Sequence, residues 1–470
     1  MSDAYTTKEQ LQASFQELTK NYKKLRYPSY ESRIALLDKI KKLMLEHEEN
    51  IYQALSEDYG YRSEFDSMVT EFVPTISSIK FISGKLKKWM KPSKRCSGLL
   101  LAPSKVEVQY QPVGVVGIIV PWNFPINLSL VPMITAIAAG NRVMMKMSEF
   151  TPKTNLALKK MLESVSEHIV LIEGEADIAA EFTKLPFNHI LFTGSTAVGK
   201  HVARAAAENL TPITLELGGK SPTIITKNAN LDAAVDAVIT GKALNSGQIC
   251  VAPDYIFIHE SLKDQFIDLF QKKFIQYYQD DKANFKYTCI INSNHYQRLN
   301  SLAEDAETKG ATIHKTIENQ APQENQHRIY PMLFTNVNDD MQIMQHEIFG
   351  SLLPIMTYQD LQTPIDYINS HPRPLALYVM SDNQDEIDRV LKQTHSGGVS
   401  INDTIVHVGA EDAPFGGIGD SGMGHYHGIE GFKTFSHAKT VLKSKSWLPK
   451  NGYILKNRDK MYKMMRKYLM

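Results

Sequence analysis

The run Val115-Val116-Gly117-Ile118-Ile119-Val120 contains no polar side chain, so a strand built from it has no face to give to water. Such a strand belongs inside a sheet covered on both sides, the arrangement that strand–helix alternation produces. That alternation follows at once. Residues Arg142–Lys146 read as a strand with a helix from Pro152, Ile169–Ile172 as a strand with a helix over 176–185, and 189–192 as a strand with a helix from Thr196. Short loops between such units argue for a parallel α/β sheet. A second alternation begins after Glu216: a strand over 222–225, a helix over 231–244, a strand over 255–258 and a helix over Lys263–Tyr278. The chain is therefore predicted to fold as two α/β lobes. In open parallel sheets ligands sit beyond the carboxyl ends of the strands, and Asn123, Lys146 and Gly194 fall at such ends.

A chain of 470 residues is long enough for two lobes, each with its own core. Its 52 basic and 51 acidic side chains nearly cancel, which argues against a nucleic-acid surface. Three cysteines, Cys96, Cys250 and Cys289, do not make a disulfide framework and fit a reducing compartment. The N-terminus lacks the basic start and apolar core of a signal peptide. The longest apolar window, 128–140, is shorter than the roughly 20 residues a membrane span requires. A soluble cytoplasmic enzyme with no transmembrane segment is expected. Residues 7–91 have helical spacing, with Ile34, Leu37, Ile40 and Met44 on one face, and read as an outer layer without chemistry. Residues 104–111 alternate Val106, Val108 and Tyr110 with Lys105, Glu107 and Gln109, as a half-exposed strand does. The tail 456–470 is basic, and Met461, Met464, Met465, Tyr468 and Leu469 fall near helical spacing. A basic amphipathic helix can lie on an anionic membrane. The stripe has no Trp or Phe anchor, so docking on its own protein or on a second subunit is the expectation.

Cys250 lies in Asn245-Ser246-Gly247-Gln248-Ile249-Cys250-Val251-Ala252-Pro253-Asp254-Tyr255. Taken alone, a thiol between Ile249 and Val251 reads as a small core residue. Three other stretches change that weighting: Pro121-Trp122-Asn123-Phe124-Pro125, Leu215-Glu216-Leu217-Gly218-Gly219-Lys220-Ser221-Pro222 and Glu347-Ile348-Phe349-Gly350. A thiol, a carboxylate and an amide are the groups for attack on a carbonyl, proton removal and stabilisation of an oxyanion. Phe192-Thr193-Gly194-Ser195-Thr196-Ala197-Val198-Gly199 follows a strand and opens a helix, where backbone N–H groups can meet a pyrophosphate. Its spacing is not that of the usual dinucleotide fingerprint, and alone it also reads as a plain strand-to-helix turn. Lys146 and Glu149 read either as a nucleotide-ribose pair or as a surface ion pair.

Together these motifs resemble the aldehyde dehydrogenase superfamily, from about residue 20 to about residue 446. Val251-Ala252-Pro253-Asp254, Arg373-Pro374-Leu375-Ala376-Leu377-Tyr378 and Pro414-Phe415-Gly416-Gly417-Ile418-Gly419 are similar to its class 3 branch. The run Ser421-Gly422-Met423-Gly424-His425-Tyr426-His427-Gly428 is similar to coniferyl aldehyde dehydrogenases of that branch; Asp420 departs from the commoner residues there. The resemblance implies a Rossmann-type NAD(P)-binding domain over 1–217 with a return segment 421–432, and a catalytic domain over 218–420. It further implies an oligomerisation arm over 98–112 and 433–446, in a homodimer, followed by the basic tail 447–470. It makes Cys250 the nucleophile, Glu216 the base and Asn123 an oxyanion donor. Trp122, Lys146, Glu149, Gly194, Ser195, Gly199, Glu347 and Phe349 would bind NAD, with NADP also possible, and no metal is called for. The implied reaction is oxidation of an aldehyde, aromatic (such as coniferyl aldehyde) or medium to long aliphatic, to the acid through a thiohemiacetal and a thioester. Two alternatives stand beside it: a non-catalytic structural or binding protein of the same fold, and a coenzyme A-acylating enzyme. The presence of both Cys250 and Glu216 argues against each.

Overall fold

The computed structural model describes residues 5–279, 286–317, 327–447 and 449–469. The first sheet has six strands in the order Gly422–Met423, Ile213–Leu217, His189–Gly194, Val115–Ile119, Arg142–Lys146, Ile169–Ile172, all parallel except the two-residue return strand at the edge. The expected double burial is realised residue by residue. Val116, Ile118, Val143 and Met145 face one core, while Val115, Met144, Ile190 and Phe192 face the other.

The apolar window that was too short to span a membrane is the helix Asn127–Ala138, buried from Ser129 to Ala138. It is apolar all round because it lies between the sheet and a second helical layer, Tyr30–Glu46 and Val73–Trp89. Leu37, Ile40 and Met44 supply the buried stripe of the first of these, as their spacing required. The opposite face of the sheet is covered by Lys8–Lys24, Ala176–Thr183 and Thr196–Ala207.

At Gly218-Gly219 the chain leaves the first sheet and enters the second. That sheet runs Thr312–Lys315, Met332–Thr335, Leu352–Tyr358, Pro253–His259, Ser221–Ile225, Ala376–Met380, Gly398–Ile401, parallel throughout except for the first pair. Ser93–Arg95, Lys105–Pro112 and Ser436–Lys443 form a separate antiparallel sheet. The alternation read in 104–111 does not become one buried and one exposed face: Val106 to Gln111 are all half-buried, and most of Ser436–Lys443 is exposed.

Of the two surfaces expected to receive the tail, its own chain and a second subunit, the first does not cover it. It forms two helices, Lys450–Lys456 and Arg458–Leu469, that pack on each other. Leu455 is 73 % exposed, Tyr462 63 % and Met464 46 %, and none of the described residues from Lys450 to Lys467 is buried. The apolar stripe is thus not docked into its own chain. The side chains of Tyr468 and Leu469, the last two residues of the predicted stripe, and the whole of Met470 lie outside what is described.

One amide joins three parts of the first lobe. The buried Asn141 accepts from Gly114 N at 2.9 Å and donates to the carbonyls of Ala136 at 2.9 Å and Phe435 at 2.8 Å. Asn141→Ala leaves those backbone groups unpaired, and we expect it to destabilise the fold by about 3 kcal/mol. A chemical-denaturation midpoint equal to that of the wild type would contradict this.

Candidate active site

In chain order the five parallel strands of the first sheet lie 3-2-1-4-5, so the order reverses between Val115–Ile119 and His189–Gly194. The crevice at such a reversal is where α/β sheets bind ligands. Trp122 and Asn123 follow the first of these strands, and Gly194 ends the second. Ser195 caps the helix Thr196–Ala207, its Oγ accepting from Val198 N at 3.4 Å. At Gly199 a Cβ would stand 2.7 Å from Leu217 Cδ2, so this glycine also lets the helix approach the sheet. Lys146 is 3 % exposed, and burial lowers its pKa against the opposing pull of Glu149. Its Nζ donates to Met147 O at 2.8 Å and stands 3.9 Å from Glu149 Oε2, so the pair is anchored inside the strand end and is not a surface ion pair.

The segment before Cys250 is strained. Asn245 and Ser246 have φ of +49° and +55°, in the left-handed region that L residues avoid, and Gly247 follows at +70°. A side chain at Gly247 would meet the Gly350 carbonyl at 2.6 Å. The surroundings hold this turn. Asn245 N donates to Asp66 Oδ2 at 3.1 Å, the Ser246 hydroxyl donates to the Thr288 carbonyl, and Ser351 Oγ donates to Ser246 O at 3.0 Å. The Gln248 side chain donates to Asn245 O at 3.0 Å and to Cys289 O at 3.1 Å, and accepts from Ile291 N at 3.0 Å. Just past the thiol, Tyr378 OH donates to Val251 O at 2.5 Å.

The three sequence-predicted chemical groups converge here. Asn123 is buried, and its amide donates to Gln248 O at 3.1 Å. Cys250 keeps part of its surface open and packs against the edge of the second lobe's hydrophobic core. Burial pushes its thiol up to about 12, with the charges of Glu347 and Glu216 adding to the rise. Glu216 is 3 % exposed, and neither of its carboxyl oxygens has a hydrogen-bond partner. Desolvation holds it well above the ordinary carboxylate range. The other two thiols stand elsewhere: Cys289 is in the core beside Arg328, and Cys96 is exposed on the antiparallel sheet.

Glu347 and Phe349 come from the second lobe. Phe349 has φ +48° and its ring meets that of Trp122 edge-on at 5.3 Å, so two motifs distant in sequence share one wall. The Glu347 carboxylate lies over Gly218, where a Cβ would approach its oxygens to 2.3 and 2.4 Å. Burial and the neighbouring Asp254 raise its pKa to about 7. Three further residues fix this segment. Asp254 pairs with Lys220 and accepts from Ile348 N at 2.8 Å; Lys220 donates to Ile343 O and His346 O; Arg298 donates to Glu347 O at 3.2 Å and Ile348 O at 2.6 Å. Asp254 and Lys220 stand inside quoted motifs, where their charge was the available signal. Nothing in the sequence marks Arg298. No cluster of three His, Cys, Asp or Glu side chains suited to a metal occurs among the described residues.

A thiol and an unpaired carboxyl beside a dinucleotide-type crevice are the groups for aldehyde oxidation, and the comparisons agree. The sequence profile described as "Aldehyde dehydrogenase family" matches residues 2–441, and the chain belongs to that family. It is 45 % identical over 435 residues to a probable coniferyl aldehyde dehydrogenase of Pseudomonas aeruginosa, covering 92 % of this chain and 90 % of the relative. It superposes on a substrate-bound Staphylococcus aureus AldH with a TM-score of 0.88 at 38 % identity, covering 93 % of this chain and 95 % of that one. A betaine aldehyde dehydrogenase from Staphylococcus aureus in complex with NAD+ gives a TM-score of 0.85 at 26 % identity, covering 95 % and 90 %. The chain is an enzyme of aldehyde oxidation that uses a nicotinamide cofactor.

A carboxyl whose folded pKa is raised destabilises the fold once pH exceeds that of the unfolded chain, and costs nothing below it. Removing the charge by Glu216→Gln should therefore raise the melting temperature relative to wild type at pH 8. The gain should shrink as pH falls toward about 4.5, the ordinary carboxylate value. A difference independent of pH would contradict the desolvated state of this carboxyl.

Proposed function

We propose that Cys250 is the nucleophile, Glu216 the general base and Asn123 an oxyanion donor in oxidation of an apolar aldehyde to its acid. The unpartnered, buried carboxyl of Glu216 beside the thiol carries the reading: a buried polar group left without a bond calls for a functional reason. The thiol sulfur bonds to the aldehyde carbon as its proton passes by way of Glu216 to solvent, giving a thiohemiacetal whose oxygen is held by the Asn123 amide and the Cys250 backbone N–H. When bound, the nicotinamide ring accepts the hydride that leaves this carbon. The thioester on Cys250 is then attacked by water, whose proton passes to Glu216; the acid departs and the thiol is restored. Burial weakens both thiol and carboxyl as acids, so the Glu216 carboxylate is a stronger base here than it would be in water.

Lys146 and Glu149 would bond the adenosine ribose, Ser195 and the backbone N–H groups of its helix the pyrophosphate, and Glu347 the nicotinamide ribose. Trp122 and Phe349 would wall the nicotinamide side. The carboxylate of Glu149 supports NAD over NADP, because it repels a 2′-phosphate. The Pseudomonas relative's name supports an aromatic aldehyde of the coniferyl type over an aliphatic one. The half-open antiparallel sheet of Lys105–Pro112 and Ser436–Lys443 supports a homodimer in which a second copy covers it. Free cysteines, and the lack among the described residues of a helix long and apolar enough to cross a membrane, support a cytoplasmic enzyme.

The test is cofactor reduction with coniferyl, benzyl and aliphatic aldehydes, with NAD or NADP, and with or without coenzyme A. We expect free acid as product at a rate indifferent to coenzyme A, a higher kcat/KM with NAD, and no turnover in Cys250→Ala. Dependence on coenzyme A would favour acyl transfer, and full activity of Cys250→Ala would remove the nucleophile assignment.

A further inference from the structure

The helical stretch 7–91 contains a feature that an outer layer does not need. The short helix Glu64–Ser67 runs into a π-helical turn, Met68–Phe72, a widened turn that often marks functional sites. Around it the side chains of Arg62 and Glu71 are fully buried, with Nη2 and Oε1 3.3 Å apart. A buried ion pair is weak evidence for stability, because desolvation cancels most of the attraction. Apart from Thr70 Oγ1, to which Arg62 Nη2 donates at 3.3 Å, and the Tyr59 ring, its other contacts go to the segment 123–127. Arg62 Nη1 donates to the Asn123 carbonyl at 2.9 Å, and its guanidinium lies 4.9 Å from the Tyr59 ring and 5.4 Å from the Phe124 ring. Tyr59 OH donates to the same carbonyl at 3.1 Å. Glu71 Oε2 accepts from the N–H groups of Ile126 at 3.1 Å and Asn127 at 2.7 Å, where the next helix begins. The pair therefore grips the chain on both sides of Phe124-Pro125. Asp66, between them in sequence, accepts from Asn245 N and from Thr288 Oγ1, so the same stretch also braces the strained turn before Cys250.

We propose that Arg62 and Glu71 are positioning residues for the reaction: they set the backbone of Asn123, and so aim its amide at the oxyanion formed on Cys250. This rests on the reading of Asn123 as an oxyanion donor. Such a donor works only over a narrow range of distance, and a misplacement of about 1 Å can cost about 100-fold in rate. A lysine at position 62 keeps the charge but cannot bond Asn123 and Glu71 through a planar fork. Glu71→Gln keeps the volume and an acceptor oxygen while removing the charge.

The experiment measures the first-turnover rate of NAD reduction by benzaldehyde in wild type, Arg62→Lys, Asn123→Ala and the double variant. Arg62→Lys should slow that step about tenfold with the dissociation constant of NAD unchanged. In the Asn123→Ala background the same substitution should change the rate by less than about twofold, since the group it aims is gone. The same tenfold loss in both backgrounds, or none in either, would overturn the proposal. A fully active Asn123→Ala would instead overturn the oxyanion reading on which it rests. Should Arg62→Lys fail to fold, Glu71→Gln in the same two backgrounds gives the same comparison and is read the same way.

Discussion

Two amides, from Asn123 and Asn245, converge on one backbone oxygen, the carbonyl of Gln248, at 3.1 and 3.3 Å. This junction joins a loop at the end of the first sheet to the turn that delivers Cys250 from the second lobe. Neither piece could hold its shape alone. Two successive non-glycine residues in the left-handed region cost of order 1–3 kcal/mol each, and they persist here because Asp66, Gln248 and Ser351 bond the backbone around them. The binding edge and the thiol are thereby brought to one place by the Asn123 amide and by hydrogen bonds from Asp66, Asn245, Gln248 and Ser351.

The same construction sets the electrostatics. Packing that holds the turn also removes water, and removal of water raises the pKa of Cys250, Glu216 and Glu347 together. Each of these shifts disfavours negative charge in a water-poor cleft. Glu347 is restrained differently, with Asp254, Lys220 and Arg298 fixing its backbone and leaving its carboxylate over Gly218. Charge on these residues serves placement, which explains why a nearly neutral protein carries so many of its buried charges near this one cleft.

Much of this was legible in the residues themselves. The unbroken apolar run at 115–120 could only be an interior strand, and the helix Lys263–Tyr278 has the expected limits because its stripe is regular. The thiol, carboxylate and amide were singled out by the motifs around them, which carry the family resemblance; taken alone, Cys250 read as a core residue. The later strands of the second sheet, such as Thr312–Lys315 and Met332–Thr335, are only four residues long, too short for a period to declare itself. Gly199 shows the limit of motif reading, since one glycine can serve packing as well as ligand approach. Arg62 and Glu71 were hidden for a physical reason: charged residues in a helical stretch are normally solvated, and only the three-dimensional contacts show these two to be buried. The tail shows a further limit, because an apolar stripe states that something covers it without stating what.

The central claim is that acyl transfer passes through Cys250 and is completed by Glu216. The most direct measurement is mass spectrometry of Glu216→Gln, quenched in acid after mixing with NAD and benzaldehyde, then digested. The account predicts a single benzoyl thioester on the peptide containing Cys250, formed in step with reduced cofactor and released by hydroxylamine. Cofactor reduction with the adduct on Cys289 or Cys96, or with no adduct at all, would contradict it.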